Sequence, residues 1–488
     1  MSPFTAIGNG QALPLAQVPD LDLPAFHAAI LDGVRQGQRL ACLCADASHH
    51  LIAVLADDAG GKLWAGRAFV EGGSCPALTP QCPQAHLFER EFLEQYGLRP
   101  EGHPWLKPVR HYATPGVVDF YRVEGEEIHE VAVGPVHAGV IEPGHFRFQC
   151  HGEEVFHLEI ALGYQHRGIE RALAGGPHKL SLKMAETAAG DTTIGHAWAH
   201  CRILEGLGRV EVPDRAQLIR GLALELERIA NHVGDLGALS GDAGFLPTAS
   251  FCGAIRGDWL NLSAELCGSR LGRDLLVPGG VRFDLEPAAA GTFQARVEKA
   301  WQATRDAVEL LWDSASVMIR FEAAGRLSPE QAREIGVVGL VARACGLRQD
   351  VRACFPTGPY QACPVQPSLA ESGNVHARAW VRWLEVQESV RFLKETLHRL
   401  MAMPQEPLTR KPEPLLPDSL CVSLVEGWRG EILHLAVTDP EGRFQRYKIV
   451  DPSFHNWFAV ALALRGQQIS DFPLCNKSFN LSYCGHDL

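Results

Sequence analysis

Apolar residues recur at helical spacing through the centre of the chain. Over 215–239 the series Leu218, Leu222, Leu226, Ile229 and Val233 marks one face of a long helix, and Pro213-Asp214 supplies a start signal. Further helices are predicted over 263–271, 292–309 and 377–403, the last carrying Val381, Leu384, Val390, Leu393 and Leu397. Period-two or continuous apolar runs predict strands over 127–133, 145–149 and 155–162, with Gly134-Pro135 turning after the first. A second strand group spans 421–425, 432–438 and 444–450, closed by a Pro440-Glu441-Gly442 hairpin turn. A helix over 457–464 follows, and the tail beyond it reads as irregular.

The first hundred residues show a different rhythm. A helix is predicted over 23–36 (Phe26, Ile30, Val34), strands over 39–45 and 50–55, and a turn at Gly60-Gly61. An amphipathic helix over 85–96 ends at Gly97, a common helix stop. The expectation is an α+β chain. An α/β domain over 1–115 leads through a linker over 116–130, with linker-like sequence over 112–121 around Pro115-Gly116. A helix-bundle domain with small flanking sheets then fills 131–488.

Composition narrows the function classes. The 488 residues are 46% hydrophobic and 21% charged, as in an ordinary folded protein. A net charge of −12 argues against nucleic acid, which selects a basic surface. No apolar run approaches the ~18 residues a membrane-spanning helix needs. The first residues lack the basic-then-apolar pattern of a signal peptide, which favours a cytosolic location. The 14 cysteines form one CxC (Cys42, Cys44) but no CxxC, so most read as buried apolar residues. No HExxH is present, which removes zinc hydrolysis from consideration.

Motifs carry the reading further. FEREFLEQYGLRPEGHPWLKPV at 88–109 resembles the end of the 30-kilodalton subunit of respiratory complex I. From 134 onward come GPVH (134–137), EPGHFRF (142–148), GYQHRGIE (163–170), VPDRAQLIR (212–220) and ELERIANH (225–232). PGGVRFDL (278–285), GLRQDVRACFP (346–356), RWLEVQESV (382–390), EGWRGE (426–431) and DPSF (451–454) follow in order. Together they resemble the large subunit of group 4, energy-converting [NiFe] hydrogenases and, equally, the related 49-kilodalton subunit of complex I.

The resemblance also sets what is missing. In the hydrogenases two pairs of cysteine thiolates, soft ligands suited to the metals, hold nickel and iron. Those positions fall here on Ala189 and Thr192, and on Ser482 and Gly485. No nickel–iron centre is expected. In complex I a His and a Tyr line the quinone headgroup site. The Tyr position falls on Gly190, and the His position falls near Pro143, two residues from His145. Both departures point to a third group, hydrogenase-related complexes without the metal ligands.

Several residues remain candidates. Glu142 stands near where hydrogenases place a proton-relaying glutamate, or it caps a loop. His137 and His145 are proton-path members or structural histidines. Arg167 and Arg429 occupy strong motifs; the resemblance projects Arg429 over the site, and the alternative is an ion pair between two layers. Asp191 and His196, with Thr192 and Thr193, could bind a small polar ligand or form a solvated loop. Glu225, Arg228 and His232 of ELERIANH read as intrahelical and interhelical pairing.

The resemblance implies a peripheral-arm subunit of a membrane-bound redox complex, of NADH–quinone oxidoreductase or hydrogenase-4 type, on the cytoplasmic face. This chain would bind no cofactor of its own. An iron–sulfur small subunit would dock on 134–205 and 470–488, and antiporter-like membrane subunits would complete the complex. Quinone is one acceptor, NADH one donor, and ion translocation the coupled output. The alternatives are a non-catalytic subunit that transmits movement, and a hydrogenase with unusual ligands.

Overall fold

The computed structural model describes residues 3–110, 119–139 and 141–488. Most of the linker expected at 112–121 lies outside the described residues.

The N-terminal sheet places strands in the antiparallel order Thr5–Ile7, Lys62–Phe69, His50–Asp57, Arg39–Ala45, with Asp20–Leu21 pairing parallel to Lys62–Phe69. Helix Leu23–Arg35 packs on it, started by Asp22, whose carboxylate accepts the Ala25 amide. The expected helix near 85–96 runs His86–Tyr96 and stops at Gly97, which takes the left-handed conformation (φ 70°) that Gly adopts at no steric cost.

This unit does not keep a core to itself. Strand Ala12–Pro14 leaves it and pairs with Ser419–Glu426, at the edge of the sheet completed by Glu431–Thr438 and Phe444–Val450. Leu43, Val54 and Leu55 share one apolar core with Leu420, Val422, Leu433 and Phe454. Buried ion pairs cross the same seam: Arg39 with Glu431 at 2.8 Å, and Lys448 with Glu91 at 2.8 Å.

The bundle comprises Asp214–Asp242, Leu246–Cys267, Pro287–Trp312 and Val375–Ala402. Leu222, Leu226, Ile229 and Val233 meet Trp259, Phe293, Leu393 and Leu397 in its core, each leucine worth about 1.5–3 kcal/mol when fully buried. A Cβ on Gly237 would lie 2.7 Å from the Cβ of Cys252, so glycine lets the first two helices touch. The helix expected at 263–271 begins far earlier and ends at Gly268 (φ 76°). Its apolar residues do not keep to one face, so periodicity marked only its last turns.

Helix Asp214–Asp242 is buried nearly all round, and its charges pair inside. Glu225 accepts from Arg228, Arg352, Tyr360 and Ser389, while His232 and Arg343 share Glu385. This is the pairing expected for Glu225, Arg228 and His232, extended to four other segments.

The tail departs from expectation. It forms two short helices, Phe472–Phe479 and Tyr483–Asp487, rather than irregular chain. Helices of five to eight residues show no readable period, and burial of Leu474, Phe479, Tyr483 and Leu488 stabilises them.

Candidate functional site

The tail helices lie against segment 187–196, which leads into helix Thr193–Leu207. Arg167 fastens the two together: its guanidinium donates to the Thr187, Ala188 and Cys484 carbonyls. Ser482 starts the last helix, its hydroxyl accepting the Gly485 amide at 2.9 Å. Glu142 accepts from the Tyr483 and Cys484 amides at 3.2 and 3.3 Å, so its carboxylate caps the same turn. The structure thus gives Glu142 the capping position.

His137 and His145 tie their own loop. His137 Nε2 bonds the Gly144 carbonyl at 3.0 Å, and His145 Nδ1 bonds the Gly134 carbonyl at 3.2 Å. Burial pulls the His145 imidazole below its usual range.

Arg429 rides on the tight Gly427–Gly430 turn between two strands. Gly430 (φ 141°) is required there, because a Cβ would lie 2.6 Å from the Gly339 Cα. Arg228 donates to the Glu426 and Gly427 carbonyls and so fixes the turn from the bundle side. From this turn Arg429 grips Asp191 through both carboxylate oxygens, at 2.5 and 2.8 Å. It also donates to the Asn480 carbonyl at 2.5 Å and to Thr192 at 3.3 Å. Its guanidinium lies 3.9 Å from the centroid of the Trp428 ring, whose Nε1 donates to the Asp191 carbonyl. Burial alone would raise the Asp191 carboxyl, but the Arg429 charge and hydrogen bonds outweigh it and hold the group below the usual range. Arg429 is therefore an ion pair that joins the strand turn, segment 187–196 and the tail.

His196 points the other way along the same helix. Its Nε2 bonds Asp451 at 3.0 Å, and its Nδ1 bonds His434 at 3.1 Å. Thr193 Oγ1 is buried without a hydrogen-bond partner.

One acidic residue of the site is hidden in the sequence. Glu227, inside ELERIANH, turns away from the buried charge network and accepts the Ile194 and Gly195 amides at 2.7 and 3.2 Å. Desolvation pushes its carboxyl up to about 8, opposed by those two amides and reinforced by Asp191. Its neighbour Asn231 donates to the Asp191 carbonyl. Helical spacing held the only signal: Glu227 lies off the face that carries Glu225, Arg228 and His232. A hollow of about 20 Å³ between Asp191, Ile194, Glu227 and Asn231 has room for one water, not for a ring.

The residues at the four positions where the resemblance would put metal ligands do not suit nickel and iron. Ala189 and Gly485 offer no donor atom. The Thr192 hydroxyl is engaged by Arg429, and the Ser482 hydroxyl caps a helix. A Cβ at 485 would lie 2.7 Å from the Asp451 carboxyl carbon, so Asp451 fills the space a side chain there would need. Cys484 is the thiol beside these positions, and burial pushes it up to about 11, away from the thiolate a soft metal requires. Among the described residues, no group of three His, Cys, Asp or Glu side chains is placed to hold a metal ion.

The comparisons bear on the whole arrangement. A family described as respiratory-chain NADH dehydrogenase, 49 Kd subunit, matches residues 242–418. The carbon monoxide-induced hydrogenase of Rhodospirillum rubrum is 30% identical over 353 residues, covering 72% of this chain and 97% of that protein. Formate hydrogenlyase subunit 5 of Escherichia coli (strain K12) is 28% identical, covering 84% and 76%. Among solved structures, a chain of the membrane-bound sulfane sulfur reductase, an archaeal respiratory membrane complex, superposes with a TM-score of 0.69. It is 23% identical and covers 75% of this chain and all of that one, a likeness of fold. On the family match, the near full-length likeness to a hydrogenase and the shared fold, the chain belongs to the superfamily of hydrogenase large subunits and complex I 49-kilodalton subunits.

Proposed function

We propose that this chain is the core peripheral-arm subunit of a membrane-bound redox complex, and that electrons from a partner iron–sulfur subunit meet protons at its Asp191–Arg429 site. The relatives named above include a hydrogenase and a formate hydrogenlyase subunit, which supports redox chemistry. Among the described residues no helix is long and apolar enough to cross a membrane, which fits attachment through membrane subunits. Docking on the cytoplasmic face, antiporter-like partners and coupled ion movement belong to the same reading.

The observation that carries it is the polar cluster itself. Asp191, Arg429, Glu227 and Asp451 stand around positions 192 and 485, two of those at which the family resemblance puts metal ligands. They offer a fixed positive charge and a carboxyl that exchanges a proton near neutral pH. The acceptor is a quinone or another small molecule. It reaches the site when the Arg429 turn or the tail shifts, because the ion pair is closed and the hollow beside Asp191 and Glu227 holds a water alone. The chain itself carries no cofactor, so electrons enter from the partner.

The same closed pair favours a second reading, in which Asp191 and Arg429 only lock three segments and transmit movement. Purifying the assembled complex from membranes, measuring its nickel, and screening donors and acceptors separates the cases. Turnover without nickel that falls in Asp191→Asn supports the first reading. Unchanged turnover in that variant supports the second, and stoichiometric nickel overturns both.

A further inference from the structure

Behind the Asp191–Arg429 site runs a continuous line of buried hydrogen bonds. Asp451 bonds His196 Nε2 at 3.0 Å, and His196 Nδ1 bonds His434 Nε2 at 3.1 Å. His434 Nδ1 bonds the Tyr447 hydroxyl at 2.8 Å, which bonds His200 Nδ1 at 2.6 Å. All five side chains are almost wholly buried. The remaining ring nitrogen, His200 Nε2, is buried without a hydrogen-bond partner. His200 lines a surface hollow of about 520 Å³, together with His178, Lys179, Arg282 and Glu413.

Counting hydrogens gives this line a direction. The Asp451 carboxylate only accepts, so His196 Nε2 carries hydrogen and its Nδ1 accepts. His434 then donates from Nε2 and accepts at Nδ1, the Tyr447 hydroxyl donates to it, and His200 donates from Nδ1 to the tyrosine oxygen. Every donor is used once, and what is left over is a bare lone pair on His200 Nε2, buried in the residue that lines the hollow.

We propose that His200, Tyr447, His434, His196 and Asp451 form a proton-transfer chain that delivers protons from this hollow to the redox site. A proton taken up at His200 Nε2 releases the Nδ1 hydrogen to Tyr447. Tyr447 passes its own to His434 Nδ1, His434 Nε2 gives up its hydrogen to His196 Nδ1, and His196 Nε2 protonates Asp451. One proton enters, one arrives, and each middle group keeps one. Asp451 ends the line beside Gly485, with the Arg429 charge acting on it.

The surroundings suit transport rather than storage. Burial lowers His200 to about 4 and drives His434 far below its usual range, so neither imidazole traps a proton. The groups facing Tyr447 are the Cys201 and Cys421 thiols, both pushed high by burial and so unable to compete. The chain resets when Asp451 gives up its proton and the rings and hydroxyl turn back.

The inference rests on the redox reading, and its test separates the two. Histidine ¹⁵N spectra of the resting full-length chain should show hydrogen on Nδ1 of His200 and on Nε2 of His434 and His196. The opposite tautomer at His434 together with a solvent-exchanging donor elsewhere on the line overturns the chain whatever the complex reduces. In the assembled complex, Tyr447→Phe and His200→Ala should slow turnover by about 10²-fold or more. The initial reduction of partner clusters should stay unchanged. Added imidazole, entering through the hollow, should restore His200→Ala but not Tyr447→Phe, a rescue that a merely structural role would not give. Unchanged turnover in both variants overturns the proposal. A wild-type complex whose clusters reduce while no acceptor turns over removes the redox reading, and the tautomers still decide whether the line is built to conduct.

Discussion

Removing the Arg429 guanidinium tests the site most directly. Arg429→Met deletes two bonds to Asp191, one to Asn480 and one to Thr192, and takes the guanidinium off the Trp428 ring. Breaking a fully buried pair costs about 3–5 kcal/mol. Here the Arg429 side chain is 5% exposed but Asp191 is 35% exposed, so water recovers part of the carboxylate's solvation. The expected cost is therefore about 2–4 kcal/mol. Asp191→Asn keeps the shape and one acceptor and should cost about 1–2 kcal/mol. A double-mutant cycle on urea unfolding at constant m-value should give a coupling of about 1–2 kcal/mol. Because Arg429 also holds the Asn480 carbonyl, Arg429→Met should speed amide exchange across 483–488, and Asp191→Asn should do so less. The Asp191 carboxyl lies below its unfolded value, so this stability is present above about pH 3.9 and is lost as pH falls through the lower folded value. Additive costs, with coupling under about 0.3 kcal/mol, would refute a working ion pair.

Three more outcomes follow from the same geometry. Arg343→Met leaves Glu426 in the core without its ion pair and Glu385 with His232 and Arg228 alone, and should cost about 3–5 kcal/mol at neutral pH. Burial already holds Glu426 up at about 7 against the Arg343 charge, so removing the guanidinium raises that carboxyl further, while His232 and Arg228 still hold Glu385 down. The deficit should therefore be smaller near pH 5 than near pH 8, and a pH-independent deficit in thermal or urea unfolding would contradict the pairing. Gly485→Ala drives a Cβ to 2.7 Å from the Asp451 carboxyl, which His196 and the Ser453 amide hold in place. It should cost about 1–3 kcal/mol, read as a lowered melting temperature, and Gly485→Cys should do the same without creating a metal site. Glu227, raised to about 8, should show a carboxylic C=O infrared band that fades as pH passes that value and is missing in Glu227→Gln. A band lost already near pH 4.5 would place the carboxyl in water.

Much of this was legible in the chain itself. The period of Leu218, Leu222, Leu226, Ile229 and Val233 marked the central helix, because one apolar face must be buried whatever it meets. The alternating runs and Pro440-Glu441-Gly442 marked the second sheet, and the resemblance puts Ala189, Thr192, Ser482 and Gly485 where four thiolates would stand. Local pattern could go no further. Glu225 and Glu227 are two residues apart in one motif, yet one joins a buried network of arginines and the other caps the site helix. Glu142 reads as a proton carrier or a cap by position, and its bonds to the Tyr483 and Cys484 amides come only from the tail folding against it. His196 meets a histidine 238 residues away and an aspartate 255 away. Apolar periodicity is set by each segment's own geometry, so the sequence determined the elements. Which polar groups are desolvated together is set by how those elements pack, and that was decided only when the tail, the Arg429 turn and the bundle closed on one another.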